Sequence, residues 1–394
     1  MYIQPFVEAR EHQTLITMAN SGIEITYGEF EARTNQLAHF FRECGLQTQD
    51  HYSIFMENNE RYLEACGGGE RAGLYYTCIN SYLKADELAF IINNSESKVL
   101  ITSQSRAEIA AEALQQCPQV RVCLVVSETD RSDMQDFVST LASFPTTPIS
   151  DQALGTPMLY SSGTTGRPKG ILRPLPELSP AENLPIMNFL QQLWHYKDGM
   201  RYLSPAPLYH SAPQAAVGLT LRAGGTCVIM EKFDPEQYLS LIESHQITHS
   251  QLVPTMFSRM LKLPEDVRNR YDLSSLEIAV HAAAPCPAQV KRNMIDWWGP
   301  IIFEYYGATE GLGFAACTSE EWLAHQGSVG KIMLGELHIM DDEMNEVATG
   351  DTGTVWFKTA TPFEYFNDTE KSVLVDVTYI VNCGHGAVRG GRFG

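Results

Sequence analysis

The first part of the chain alternates between helical and extended hydrophobic patterns. Thr26 and Glu29 form a capping-box pattern, after which apolar residues recur at helical spacing as far as Gly45. Residues 99–102 and 123–126 are short apolar runs typical of buried strands, and a helical pattern over residues 106–116 lies between them. Strands separated by about ten to fifteen helical residues predict βαβ units and a parallel sheet.

The same rhythm returns later without a repeat of the sequence. Asp234 and Pro235 are typical of a helix start, and the pattern continues through His245. Further helices are predicted to begin at Pro254 and Pro287. Strands are predicted over residues 247–252, 278–281 and 301–306. This half is therefore also predicted to contain a parallel sheet.

After Gly327 the pattern changes to short alternating segments, including residues 336–340 and 353–358. Period-two alternation of this kind predicts a small, distorted antiparallel β-barrel. The predicted fold class is thus α/β, with two α/β subdomains of mostly parallel strands and a β-rich subdomain over about residues 327–371.

Composition narrows the class of protein. A chain of 394 residues with 44% hydrophobic and 19% charged residues has enough apolar content for more than one core. The formal net charge of −19, without clustered Lys and Arg, argues against a nucleic-acid partner. Neither a signal peptide nor an apolar run of about eighteen residues is present in the sequence, so no membrane span is predicted.

The nine cysteines are scattered, and none forms a CxxC pair. This usage favours reduced thiols over a disulfide framework or a zinc site, and it predicts a cytoplasmic location.

Residues 160–170, reading YSSGTTGRPKG, form a loop rich in glycine and hydroxyl groups after a short apolar run. Glycines allow backbone N–H groups to approach an anion, and Lys169 adds a positive charge. Gly163 and Gly166 are too close together for the Walker pattern. The alternative is an ordinary polar surface loop. The predicted phosphate ligands are Ser161, Ser162, Gly163, Thr164, Thr165, Gly166 and Lys169.

Residues 305–311, reading YYGATEG, form a second candidate segment at the end of a predicted strand. Tyr306 offers an aromatic face for adenine, Gly307 permits close approach, and Glu310 can bind Mg²⁺. The alternative is a structural turn. The predicted nucleotide ligands here are Tyr305, Tyr306, Gly307, Thr309 and Glu310.

Both segments, together with PLYH at residues 207–210 and HAAAPCP at residues 281–287, resemble the adenylate-forming superfamily. Similarity to its fatty-acyl and aryl-CoA synthetases extends over about residues 10–371. The resemblance implies ATP, Mg²⁺ and CoA as cofactor or co-substrates, and a fatty or aryl acid as the substrate.

The resemblance also implies individual roles. His210 is expected where the carboxylate meets the α-phosphate, and Ala283, Ala284 and Pro285 where backbone carbonyls face adenine. Thr165 and Glu310 are expected to bind the metal ion. The catalytic candidates are His210, Thr165, Lys169 and Glu310. A structural role is the alternative for His210, and His245, His249 and His281 are predicted to be structural. Cys286 is predicted to be a small buried residue.

Relatives continue into a small C-terminal domain with a catalytic lysine, and nothing after Lys371 resembles it. We therefore expect a large domain over residues 1–371, a mobile tail over residues 372–394 and no small domain. Thr349-Gly350-Asp351 is predicted to be a turn, and Asp376 is the candidate ribose ligand. Adenylation is expected to persist while thioester formation is impaired.

Two alternatives remain open. The chain can be a non-catalytic module that binds a nucleotide or acyl-adenylate and acts through a partner, or it can transfer the acyl group to a carrier protein. The sequence leaves the identity of the acid and the oligomeric state undetermined.

Overall fold

The chain divides after Lys232 into two units, Met1–Lys232 and Phe233–Gly394, and each contains parallel β-strands. The computed structural model describes residues 1–127, 131–161, 168–308, 310–359, 363–367, 379–386, 388–389 and 392–393.

The first unit combines long helices with two sets of parallel strands. Its helices are α1 (Gln4–Arg10), α2 (Tyr27–Glu43), α3 (Tyr62–Arg71), α4 (Ala85–Asn94), α5 (Ala107–Leu114), α6 (Phe137–Leu141), α7 (Pro185–Leu193) and α8 (Ser211–Arg222), with a 3-10 turn at Gln104–Arg106. Its strands are β1 (Thr14–Met18), β2 (Glu24–Thr26), β3 (His51–Phe55), β4 (Tyr75–Cys78), β5 (Val99–Ser103), β6 (Val122–Val126), β7 (Gln135–Asp136), β8 (Thr156–Pro157), β9 (Leu159–Ser161), β10 (Lys169–Leu172), β11 (Arg201–Ser204) and β12 (Thr226–Ile229).

Six of these strands form a parallel sheet in the order β7-β6-β5-β3-β4-β8. In a second set, β12 pairs in parallel with β11 and β1, and β2 adds antiparallel to β1. The β5 and β6 strands are buried, as the continuous apolar runs of the sequence predicted. The predicted βαβ organisation of this part is confirmed.

Helix α2 begins as its capping box predicted. The Thr26 hydroxyl accepts a hydrogen bond from the Glu29 N–H at 3.2 Å, and the Glu29 carboxylate accepts one from the Thr26 N–H at 2.9 Å. Two backbone donors at the helix start are thereby satisfied, and the helix buries Phe30, Leu37 and Phe41.

Helix α3 packs against α2 at a distance that only glycine permits. A Cβ at Gly68 would lie 2.6 Å from the Leu37 side chain, and one at Gly69 would lie 2.3 Å from the Tyr52 ring. Every residue of α3 is buried, including Glu64, whose carboxylate contacts Arg33 at 3.0 Å and Arg61 at 3.1 Å. The glycine run, which weakens a helix by propensity alone, is explained here by the close packing of Gly68 against α2 and of Gly69 against β3.

The second unit repeats the α/β arrangement. Its helices are α9 (Pro235–His245), α10 (Pro254–Leu261), α11 (Glu265–Arg268), α12 (Ala288–Trp298) and α13 (Ser319–Ala324). Its strands are β13 (His249–Leu252), β14 (Ile278–His281), β15 (Ile302–Gly307), β16 (Phe314–Cys317), β17 (Lys331–Leu334), β18 (Glu336–Met340), β19 (Gly353–Thr359), β20 (Glu364–Tyr365), β21 (Tyr379–Gly386), β22 (Val388–Arg389) and β23 (Arg392–Phe393).

Strands β13, β14 and β15 pair in parallel, and β16 and β17 continue antiparallel. The Asp234 carboxylate caps α9 by accepting from the N–H groups of Glu236 at 3.1 Å and Gln237 at 2.9 Å, as its sequence predicted. Among the residues that the structure describes, no helix is long and apolar enough to cross a bilayer.

The β-rich region contains an antiparallel sheet in which β19 lies between β18 and β21. Thr349 and Gly350 lie in the turn between β18 and β19, where the Asp351 N–H donates to the Ala348 carbonyl at 3.0 Å. That predicted turn is confirmed. Strand β21 falls within the predicted tail, and the mobility of that tail stays a prediction.

The packing of α3 predicts opposite effects for two mid-helix glycines. Gly68→Ala should destabilise the protein by about 1–3 kcal/mol, since the new methyl group overlaps Leu37. Gly218→Ala in α8 meets nothing closer than the Met1 side chain at 3.7 Å and should be neutral or stabilise by up to about 1 kcal/mol. Urea unfolding of the two variants and the wild type measures both changes, and equal effects would contradict the packing explanation.

Candidate functional site

The ends of the glycine- and hydroxyl-rich loop are held together by an antiparallel pair of strands. Strand β9 pairs with β10 so that Ser161 lies opposite Lys169 and Tyr160 lies opposite Gly170. The Tyr160 hydroxyl donates to the Asn94 side chain at 2.6 Å and fixes this pair to α4. The ladder therefore places Lys169, which is half-buried, where the loop returns to the strand.

The interior of this loop lies outside the described residues. Its predicted phosphate ligands Ser162, Gly163, Thr164, Thr165 and Gly166 belong to that part. Their contacts with a nucleotide stay a prediction, and the structure describes the strands on either side of them in the sequence.

His210 lies at the N-cap of α8, after a segment that a buried asparagine holds in place. The Asn58 side-chain amide donates to the carbonyls of Ala206 at 3.1 Å and Met230 at 2.9 Å. Its oxygen accepts from the Leu208 N–H at 2.8 Å. Asn58 follows β3, so its amide links the carboxyl ends of β3, β11 and β12.

The His210 ring packs beside Tyr209, with ring centroids 4.4 Å apart. Although the residue as a whole is exposed, partial burial of the ring lowers the pKa of His210 below its ordinary value. The imidazole is therefore neutral at pH 7, with one nitrogen as a donor and the other as an acceptor. A neutral donor can bind a developing oxyanion without a proton being added first.

In the second unit, β14 ends beside β15, which continues for three more residues. His281 on β14 lies opposite Glu304 on β15, so the residues that follow each strand project from the same sheet edge. Ala283, Ala284 and Pro285 follow β14 and are exposed. Ala283 has φ of 74°, a left-handed conformation that is uncommon for a residue with a side chain.

The two tyrosines of β15 have different neighbours. The Tyr305 hydroxyl accepts from the Gln251 side chain at 2.8 Å, its ring stacks on Phe314 at 5.2 Å, and burial raises its pKa to about 12. Successive residues of a strand point to opposite faces, so Tyr306 lies on the other face of the sheet. Tyr305 thus has contacts within the fold, whereas Gly307 at the strand end is exposed.

Glu310 is half-buried, and the Tyr365 hydroxyl donates to its carboxylate at 3.4 Å. This contact uses one of the two carboxylate oxygens of Glu310. Thr309 lies outside the described residues. Among the residues that are described, no three His, Cys, Asp or Glu side chains cluster as a metal site. Mg²⁺ that binds with a nucleotide takes one or two carboxylates together with phosphate oxygens, so Glu310 has the chemistry for this role.

A buried ion pair lies beside the end of β14. Lys291 on α12 forms an ion pair with Glu304, and its ammonium group lies 4.9 Å from the centroid of the Trp322 ring. Burial raises the pKa of Glu304 although Lys291 opposes this shift. The fully buried His281 ring lies 3.6 Å from the Glu304 carboxylate, and burial lowers the pKa of His281 to about 3. His281 is therefore a neutral residue of the interior, as predicted.

Cys286 is half-buried, and burial raises the pKa of its thiol to about 11. A thiol with this pKa is protonated at neutral pH, which fits the predicted structural role better than that of a nucleophile. Asp376, the predicted ribose ligand, lies outside the described residues.

Sequence reasoning missed the supporting residues Asn58, Gln251, Lys291 and Glu304. Each of them contacts a residue that is distant in sequence, and none lies in a motif whose spacing indicates its partner. Only Asn58, three residues after the end of β3, has a position that could have suggested a role at a strand end.

Three comparisons bear on this arrangement. The family model described as AMP-binding enzyme matches residues 6–365. A medium/long-chain-fatty-acid–CoA/3-oxocholest-4-en-26-oate–CoA ligase of Mycolicibacterium smegmatis is 25% identical over 91% of this chain and 69% of the relative. A feruloyl-CoA synthase of an Amycolatopsis species is 31% identical over 78% of this chain and 58% of the relative.

Among solved structures, the N-terminal domain of FACL13 from Mycobacterium tuberculosis superposes with a TM-score of 0.83. The identity is 21%, and the match covers 99% of this chain and 96% of that domain. This likeness supports the predicted α/β fold class.

Asn58 provides the first test of how the site is held. Asn58→Ala leaves two carbonyls and one N–H without their partner and should destabilise the protein by about 2–4 kcal/mol in urea unfolding. The control is Asn93→Ala, because the exposed Asn93 amide makes one hydrogen bond, to the Gln116 carbonyl, and its loss should cost less than about 1 kcal/mol. Equal losses in the two variants would show that the Asn58 amide has no special structural role.

The buried neutral His281 predicts a pH effect on stability. Its folded pKa of about 3 lies below the ordinary value of 6.5, so the unfolded chain binds one more proton once the pH falls below 6.5. The stability that neutral His281 contributes is thus complete above pH 6.5 and declines toward the folded pKa. Relative to His281→Gln, the wild type should lose about 2 kcal/mol of unfolding free energy between pH 7 and pH 5. Parallel pH dependences of the two proteins would contradict this prediction.

Proposed function

The chain belongs to the AMP-binding enzyme family, and from this premise we propose that it activates a fatty or aryl acid with ATP to form an acyl-adenylate. The observation that carries the proposal is the β9–β10 ladder, which closes the glycine- and hydroxyl-rich loop with Lys169 opposite Ser161. An ammonium group at this position can neutralise phosphate charge as pyrophosphate leaves.

The reaction joins a carboxylate oxygen to the α-phosphorus of ATP while the bond from this phosphorus to the bridging oxygen of pyrophosphate breaks. We assign the β- and γ-phosphates to the loop of residues 161–169 in the first unit. His210 is assigned to the reacting oxygens, since its neutral ring can donate one hydrogen bond as negative charge redistributes.

In the second unit, we assign adenine to the backbone of Ala283, Ala284 and Pro285 and to the ring of Tyr306. The exposure of Ala283, Ala284 and Pro285 after β14, beside β15, supports their assignment. Tyr306 is half-buried on β15, and its ring stacks on Phe357 with centroids 6.4 Å apart. Glu310 is assigned to the Mg²⁺ that accompanies ATP, and Thr165 and Thr309 are proposed to assist at the phosphates.

The relatives' names suggest the class of acid. One acts on medium- and long-chain fatty acids, and the other is a feruloyl-CoA synthase, so an aliphatic or an aromatic carboxylate is proposed for this chain. CoA is the proposed acceptor of the activated acyl group. The cytoplasmic location stays a prediction from cysteine usage.

Acid-dependent release of pyrophosphate tests the proposal. The purified chain with ATP and Mg²⁺ should release pyrophosphate on addition of at least one acid from a panel of short aliphatic, long aliphatic and aromatic carboxylates. Lys169→Ala should lower kcat/KM by a factor of about 10²–10³. Glu310→Gln should weaken ATP binding mainly when magnesium is present.

Lys262→Ala, on the helix cap that follows α10, is the control for loss of one lysine charge and should retain the wild-type rate. ATP binding without release for any acid would instead favour the non-catalytic binding module. The acceptor is identified separately, by chromatography of acyl-adenylate and acyl-CoA after CoA or a carrier protein is added.

A further inference from the structure

Two buried cysteines of the first unit face each other across α3 and β4. The sulfur atoms of Cys66 in α3 and Cys78 at the end of β4 are 3.8 Å apart. Cys66 is 0% exposed and Cys78 is 5% exposed. Among the residues that the structure describes, this is the one pair of thiols in contact, and neither takes part in the proposed adenylation chemistry.

The two thiols have unequal surroundings. The Gln214 side-chain amide donates to the Cys78 sulfur at 2.8 Å and lies 3.9 Å from the Cys66 sulfur. Burial by itself would raise the pKa of Cys78, but hydrogen bonds from Cys66, Tyr62 and Gln214 outweigh it, and the pKa of Cys78 lies below its ordinary value. Burial and the hydrogen bond with Cys78 both raise the pKa of Cys66.

Such an arrangement places two thiols in contact, and the sulfur that accepts a hydrogen bond from Gln214 is the one whose thiolate is favoured. Oxidation by peroxide begins at a thiolate, and a second thiol close by converts the product into a disulfide. The lone buried thiols of the chain differ in this respect. Cys227 has its pKa raised by burial and makes no contact with another described cysteine.

We propose that Cys66 and Cys78 form a modification site, a dithiol that a hydroperoxide oxidises to an intramolecular disulfide. In the first step the Cys78 thiolate attacks one peroxide oxygen, the O–O bond breaks, and Cys78 sulfenic acid and hydroxide form. In the second step the Cys66 sulfur attacks the Cys78 sulfur, the S–O bond breaks, and water leaves with the thiol proton. Two thiols are oxidised by two electrons, and one peroxide is reduced.

The local structure can accommodate the product. The two sulfurs need to move together by about 1.8 Å to reach the ~2.05 Å of a disulfide bond, a distance within the range of side-chain rotation. Gln214, which donates to Cys78, lies four residues after His210 and thus about one helical turn away in α8. The cysteine pair is therefore in contact, through Gln214, with the helix that His210 caps.

Peptide mapping tests the proposal without any assay of activity. The folded chain is treated with hydrogen peroxide, its remaining thiols are alkylated in denaturant, and the protein is digested with trypsin. Cleavage at Arg61, Arg71 and Lys84 separates the two cysteines into the peptides of residues 62–71 and 72–84. We expect these peptides to be joined, with a mass two hydrogens below their sum, and to separate again after reduction.

Matched variants define the roles of the two thiols. Cys66→Ser should abolish the link and leave Cys78 as the oxidised residue, whereas Cys227→Ser should form the link as the wild type does. If Cys66→Ser fails to fold, the wild-type map alone decides the question. Conversion of the exposed Met344 to its sulfoxide shows that peroxide was active on the folded protein. An unlinked, fully alkylated Cys66 and Cys78 in the same sample would overturn the proposal.

Discussion

The hydrogen bonds of one buried amide, that of Asn58, are the constraint on which the position of the segment before His210 depends. Asn58 follows a strand of the six-stranded sheet, whereas Ala206 and Met230 follow strands of the other sheet. A single side chain thus joins two sheets immediately before the helix that His210 caps. An apolar residue of equal size cannot replace it, because three buried backbone groups would lose their partner. The second unit uses an ion pair, Lys291 with Glu304, at a corresponding place below its strand ends.

The sequence predicted what local patterns determine. The capping box at Thr26, the cap at Asp234 and the alternating helical and extended runs gave the main elements, because each depends on residues within about one turn. The α/β fold class, the resemblance to the adenylate-forming superfamily and the class of AMP-forming acid–CoA ligase are confirmed by the matched family and its relatives. The roles of individual site residues and the domain boundaries stay predictions.

Contacts between distant residues could not be predicted from those patterns. The glycine run in α3 contradicts helix propensity until the side chains of Leu37 and Tyr52 are seen against it. Asn58 and Gln251 have no motif around them, and Cys66 and Cys78 lie on different elements. Each of these contacts joins residues that are far apart in the sequence. No fixed spacing between them in a single sequence indicates that they meet.

The left-handed backbone of Ala283 has a consequence for the adenine site that we propose in the second unit. Alanine in this conformation costs about 1–2 kcal/mol, and glycine would avoid that cost. Glycine, however, visits many more backbone conformations. Alanine at this position therefore lowers the stability of the fold slightly, and it restricts the backbone here to fewer conformations than glycine would. When a ligand binds this backbone segment, less conformational entropy is lost. A larger share of the contact energy therefore contributes to affinity.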